Sequence, residues 1–229
     1  GIPTYDGKLN VKLAYTLAAL MPMAMKHGLS VKLGHVSGCS IITMARNSLV
    51  NQFLKSDCTE LLFIDADVIA QPEDILRLLA QSGDRDISAG MYPRRAKDRK
   101  FFMDFYLDEN DDLVFEGALM RVNRVGTGFM LIRRHVIEDI AKRSPKYLGP
   151  DGSGEISNVF EFKMMNNQFV GEDYTFCDKA GALGYTALVD VEISLPHIGT
   201  EEFTNDFKNE VVVPLIDSLR KAKLKVANG

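Results

Sequence analysis

The sequence has no tryptophan, only four histidines and three cysteines in 229 residues, and no dominant sign of charge. Cys39, Cys58 and Cys177 are an odd, widely spaced set that fits neither a disulfide framework nor a zinc-ligand pattern, so they read as thiols in a reducing compartment and a cytoplasmic location is expected. The 27 basic against 31 acidic side chains leave a net charge of -4, and a weakly negative field gives no general attraction for nucleic acid or an anionic membrane. Long apolar runs are missing as well. The stretch 11–25 is interrupted by Lys12 and Pro22, ends at Lys26, and falls short of a bilayer span, so no transmembrane or targeting segment is expected.

What is present is a chain 46% hydrophobic, long enough to bury most of its apolar surface in one core. Residues 1–7 read as a strand exit with almost no strand before it, as if the sequence begins one strand late. Apolar spacing predicts helices over 8–27, stopped by Gly28, and over 40–55, capped by Ser40, with a strand over 29–36 between them. The run 60–64 reads as a buried parallel strand, followed by a helix over 72–82 with Pro72 in its first turn and a strand over 86–90. Residues 101–107 and 113–117 flank a polar turn and read as an antiparallel pair. A strand over 129–132, a helix over 135–143, a mobile loop over 144–158, a helix over 172–182, a strand over 186–191 and an amphipathic helix over 206–223 bent at Pro214 complete the chain. Together these predict an α/β fold with a mixed, mostly parallel sheet, helices on both faces and a small antiparallel hairpin.

Asp65-Ala66-Asp67 stands at the exit of the 60–64 strand, whereas the second Asp-x-Asp, Asp84-Arg85-Asp86, lies in a polar turn. Two close carboxylates on a rigid strand end repel unless a cation joins them, and hard oxygen donors favour magnesium or manganese; the plainer alternative is a helix-capping turn. His197 follows a strand in a loop bounded by Pro196 and Gly199, which suits a metal ligand, while His27, His35 and His135 read as ordinary surface or core residues. Glu172 and Asp173 open a helix; either serves the helix dipole, and either suits a general base. Tyr92-Pro93-Arg94-Arg95 with Lys97, Arg99 and Lys100 is a basic cluster, read as a solvated loop or as a phosphate contact.

Ile2-Pro3-Thr4-Tyr5, Ala45-Arg46-Asn47, Phe63-Ile64-Asp65-Ala66-Asp67, Gly126-Thr127-Gly128-Phe129, Gly171-Glu172-Asp173 and Pro196-His197, taken in that order, resemble nucleotide-sugar glycosyltransferases of the A-type fold. The resemblance implies that Asp67 and His197 bind a manganese or magnesium ion, with Asp65 reaching the ribose, the sugar or the metal through water. It implies that Thr4, Tyr5 and Asp6 hold the nucleoside, that Arg46 approaches the donor, and that Gly128 lets backbone approach sugar or acceptor. Asp173 is implied as the base of an inverting transfer, ahead of Glu172. The implied partners are a nucleoside diphosphate sugar, a uridine diphosphate sugar by default, and a hydroxyl acceptor, most simply on a glycan. Residues 1–229 form one domain on this reading, with a donor half over 1–92, an acceptor half over 93–200 and a terminal helix over 206–224, and the 144–158 loop closes over the donor. The competing readings are a haloacid-dehalogenase-type phosphatase using Asp173 and Asp178 as closing acids, a sugar-phosphate nucleotidyltransferase, and an inactive nucleotide- or carbohydrate-binding module.

Overall fold

The computed structural model describes residues 1–96, 100–199 and 201–227, so Lys97 and Arg99 of the basic cluster lie outside the described residues. The first half runs β1 (Ile2–Pro3), α1 (Val11–Lys26), β2 (His35–Val36), α2 (Ile42–Leu54), β3 (Glu60–Ile64), α3 (Pro72–Ser82) and β4 (Ile87–Met91). Next come β5 (Met103–Phe105), β6 (Phe115–Glu116), β7 (Leu119–Val125), β8 (Phe129–Arg133) and α4 (Arg134–Arg143). Two hairpins follow, β9 (Lys146–Leu148) with β10 (Glu155–Ser157) and β11 (Lys163–Met165) with β12 (Gln168–Val170). The chain closes with α5 (Glu172–Ala182), β13 (Ala187–Ser194), β14 (His197–Ile198), β15 (Glu202–Phe203) and α6 (Val213–Ala227).

The central sheet has the order β3-β8-β4-β13-β7-β5, with β6 also on β7. Gly1 extends it: its ammonium donates to Leu62 O at 2.8 Å and its carbonyl accepts from Ile64 N at 3.1 Å, the pattern of a parallel neighbour, and β1 pairs in parallel with β2. The expectation of a mostly parallel sheet is corrected. β8 inserts antiparallel between β3 and β4, and β7 lies antiparallel to β13, so among the named strands of the central sheet in the described residues β4 and β13 alone pair in parallel.

Alternation along the central strands divides the core into two layers. Leu61 and Phe63 of β3 and Met130 and Ile132 of β8 face α2, α4 and α5, where Leu49, Phe53, Val136, Ile140 and Phe176 meet them. Ile64, Phe129 and Leu131 face the other way, onto Leu13 and Leu17 of α1 and Ile75 and Leu78 of α3. A cavity of about 610 Å³ between α1, α2, α3 and the 29–34 segment has leucine as its commonest lining residue and lacks the Asp-x-Asp acids.

Several boundaries differ from those expected. The 29–36 segment pairs only at His35 and Val36, and α2 begins after Ile41, without a Ser40 cap. The expected 101–107/113–117 hairpin is reduced to one bridge, Leu107 to Leu113; β5 and β6 instead pair with β7. The 144–158 segment is a hairpin rather than a free loop, with Asn158 Oδ1 accepting from Asn47 of α2 at 3.1 Å. A π turn, Lys208–Val212, precedes α6, and Pro214 lies in the first turn that follows it.

Candidate active site

The carboxyl ends of β1, β2 and β3 lie side by side and carry Thr4, Gly38 and Asp65. Thr4 N donates to Val36 O and Gly38 N to Tyr5 O, so the Thr4-Tyr5-Asp6 turn is stitched to the β2 exit; Tyr5 is 72% exposed and Asp6 pairs with Lys8 at 2.9 Å. Such strand ends are where open α/β sheets place ligands.

Asp65 and Asp67 point to different partners. Asp65 receives the Arg46 guanidinium, Nη1 to Oδ1 at 3.0 Å and Nη2 to Oδ2 at 3.2 Å, and Arg46 Nε reaches Glu172 Oε1 at 3.2 Å. Arg46 is only 3% exposed, with its guanidinium 5.4 Å from the Phe63 ring centre. It therefore ties the Asp-x-Asp strand to the start of α5 instead of reaching out to a donor, as the sequence implied. Buried Arg46 Nη1 and Asp65 Oδ1 are an ion pair without hydrogen-bond geometry, which leaves polar capacity at the floor of the site.

Asp67 faces His197. Backbone brings them together: Ile198 N donates to Asp67 O at 2.8 Å, Ile69 N to Pro196 O at 2.9 Å, and Val68 bridges His197 antiparallel. His197 Nδ1 lies 2.8 Å from Pro93 O; a carbonyl only accepts, so Nδ1 carries a proton, and Nε2 is the ring nitrogen that faces Asp67 Oδ1, 3.5 Å away. Burial alone would raise the Asp67 carboxyl, but His197 and then Arg95, whose Nη1 is 3.0 Å from Oδ2, outweigh it and hold the carboxyl below its usual range.

Two ligands each about 2.1 Å from one divalent ion stand roughly 3 to 4 Å apart, so Asp67 Oδ1 and His197 Nε2 fit a shared cation. Asp65 is committed to Arg46, and among the described residues no group of three or more His, Cys, Asp or Glu is gathered to hold a metal.

Tyr92, which sequence reasoning left in the basic cluster, is the hub behind the site. Its ring meets His197 edge-on at 5.2 Å, and its hydroxyl accepts from Gly128 N at 2.8 Å. A Cβ at Gly126 or Gly128 would stand 2.6 or 2.5 Å from that hydroxyl, and Gly128 O accepts from Asp65 N at 2.9 Å. Tyr92 thus fills the space that a side chain at either glycine would need. The available signal was a buried-type tyrosine directly after the strand residues Ala89-Gly90-Met91.

At the head of α5, Glu172 is held by Arg46, whereas Asp173 makes no ion pair among the described residues. Burial, reinforced by the Glu172 charge, raises the Asp173 carboxyl to about 6. Asp178, the closing acid of the phosphatase reading, is gripped by Arg124 at 2.6 and 2.8 Å, and so is committed to a structural pair.

No protein-family model matches the chain, and no curated protein matches it. Among solved structures it is similar to A197 from STIV, at 17% identity over 86% of this chain and 84% of that one, with a TM-score of 0.53. It also aligns with GalNAc-T7 solved with UDP, GalNAc and Mn2+, at 15% identity over 82% of this chain and 36% of that one, with a TM-score of 0.44, too distant to carry an argument. Among the described residues no helix is long and apolar enough to cross a membrane. The A-type α/β fold expected from the sequence is thus the fold observed, with its sheet mixed and helices on both faces, and A197 shares it.

Proposed function

We propose that the chain is a metal-dependent glycosyltransferase that moves a sugar from a nucleoside diphosphate onto an acceptor hydroxyl, with inversion. The observation that carries this reading is the docking of β14 on the Asp-x-Asp loop, which aims His197 Nε2 at Asp67. Nothing in the packing of a capping turn requires a buried histidine at that place.

Asp67 and His197 would hold manganese or magnesium, which when bound neutralises charge gathering on the departing diphosphate. Thr4, Tyr5 and Asp6 form the nucleoside wall, with the exposed Tyr5 ring offering a stacking face to the base. Arg46 orients Asp65 at the floor, where its carboxylate meets ribose or sugar hydroxyls. Asp173 accepts the proton from the attacking hydroxyl; its raised carboxyl is still mostly ionised at neutral pH yet basic enough to take a proton as the bond forms.

The test is a panel of nucleoside diphosphate sugars, each with and without manganese, read by thermal stabilisation and by transfer or slow hydrolysis. One donor should stabilise the protein only with manganese, and Asp67→Asn and His197→Ala should each abolish that gain. A panel in which no donor gains from manganese overturns the reading.

A further inference from the structure

Arg95 stands where a divalent cation has to compete with it. Its Nη1 contacts Asp67 Oδ2, while Oδ1 of the same carboxylate faces His197. Its stem runs over Gly199, where a Cβ would come within 3.1 Å of Arg95 Cδ, so the absence of a side chain there makes the contact possible. At 52% exposure the Arg95 side chain gives up little burial by leaving.

Resting on the reading above, we propose that Arg95 is an electrostatic stand-in for the metal, and that it makes capture of the ion depend on the diphosphate. An ion arriving alone shares one carboxylate with a permanent guanidinium, and the two like charges repel. A diphosphate supplies oxygens that match the planar guanidinium, so Arg95 transfers to it as the same group adds ligands to the ion. Nucleotide and metal then raise each other's affinity by the same factor, and Arg95 carries that coupling.

The experiment is a manganese titration followed by electron paramagnetic resonance of the free ion, with wild type and Arg95→Gln, each alone and with uridine diphosphate. Arg95→Gln is expected to bind manganese alone about tenfold more tightly than wild type. It should also lose most of the gain that uridine diphosphate confers on wild type. Unchanged or weaker binding of manganese alone by Arg95→Gln overturns the proposal. Asp67→Asn separates the two levels: if it abolishes binding while Arg95→Gln behaves as wild type, only the role of Arg95 falls. If Asp67→Asn binds manganese as wild type does, or wild type takes none with uridine diphosphate present, the metal reading falls with it.

Discussion

Asp173 shows how one side chain sets both a rate and a stability. Its carboxyl is raised to about 6, so as a base it works only once ionised, and transfer should climb as pH rises through that value and level off above it. Asp173→Asn should lower transfer by about a hundredfold or more and remove the acidic limb from whatever activity is left, with donor affinity nearly intact, which steady-state kinetics across pH 5 to 8 would check. The sign of the stability effect is opposite. An acid raised by folding contributes stability that is whole below the unfolded carboxylate range and is lost as pH climbs through about 6. Asp173→Asn should therefore be more stable than the parent at pH 8, by about 1 to 3 kcal/mol, and level with it at pH 4, as paired thermal melts would show. Activity unaffected by the substitution would move the base elsewhere. At this scale the sequence was informative about identity and poor on orientation. Asp65, Asp67, His197 and Asp173 stand close to the strand or helix ends where they were expected, but that Asp65 turns to Arg46 depends on α2 passing over Phe63, which no local spacing reveals.

Among the elements, those with strong local signals appear as expected: β3 with its abrupt acidic exit, α3 with Pro72 and the Asp74 carboxyl accepting from Gln71 N at 2.7 Å, and α5. β7 was missed because Arg121, Asn123 and Arg124 make its 119–125 stretch look like a polar connection, although Leu119, Met120, Val122 and Val125 are buried. The two hairpins at 146–157 and 163–170 were hidden by glycines, prolines and charges that satisfy tight turns and loops equally well. β14 is too short for any periodicity, yet it assembles the candidate centre. Ile198→Pro deletes the amide that binds Asp67 O and should lower stability by about 1 to 3 kcal/mol while leaving the far-UV dichroism native. Manganese-dependent stabilisation by the donor should disappear in the same variant; its survival would show that the backbone zipper does not set the position of His197.

For the molecule as a whole, α3 is fastened to the central sheet by a polar contact that hydrophobic patterning does not announce. Asp190 of β13 is fully buried and takes a two-pronged grip from Arg77 of α3 at 2.8 and 3.1 Å, with Glu192 N adding a hydrogen bond at 3.0 Å. Arg77→Ala strands that carboxylate and should cost about 2 to 4 kcal/mol in urea or thermal unfolding, whereas Asp190→Asn, which keeps a hydrogen-bonding partner for Arg77, should cost less. Similar losses from both variants would mean that packing rather than charge fastens the helix. The parallel majority expected of the sheet failed at this same scale, because β7 and β8 come from outside the alternating first half and enter the sheet antiparallel to β13 and to β3 and β4.

The distance along the chain between Asp67 and His197 also bears on biosynthesis. A polypeptide still emerging from the ribosome can fold α1 to α3 around β3 and present both acids, but it lacks His197 until β14 has been made and has settled against Val68. On the metal reading proposed above, uptake of the ion by a nascent chain would then mark the docking of β14.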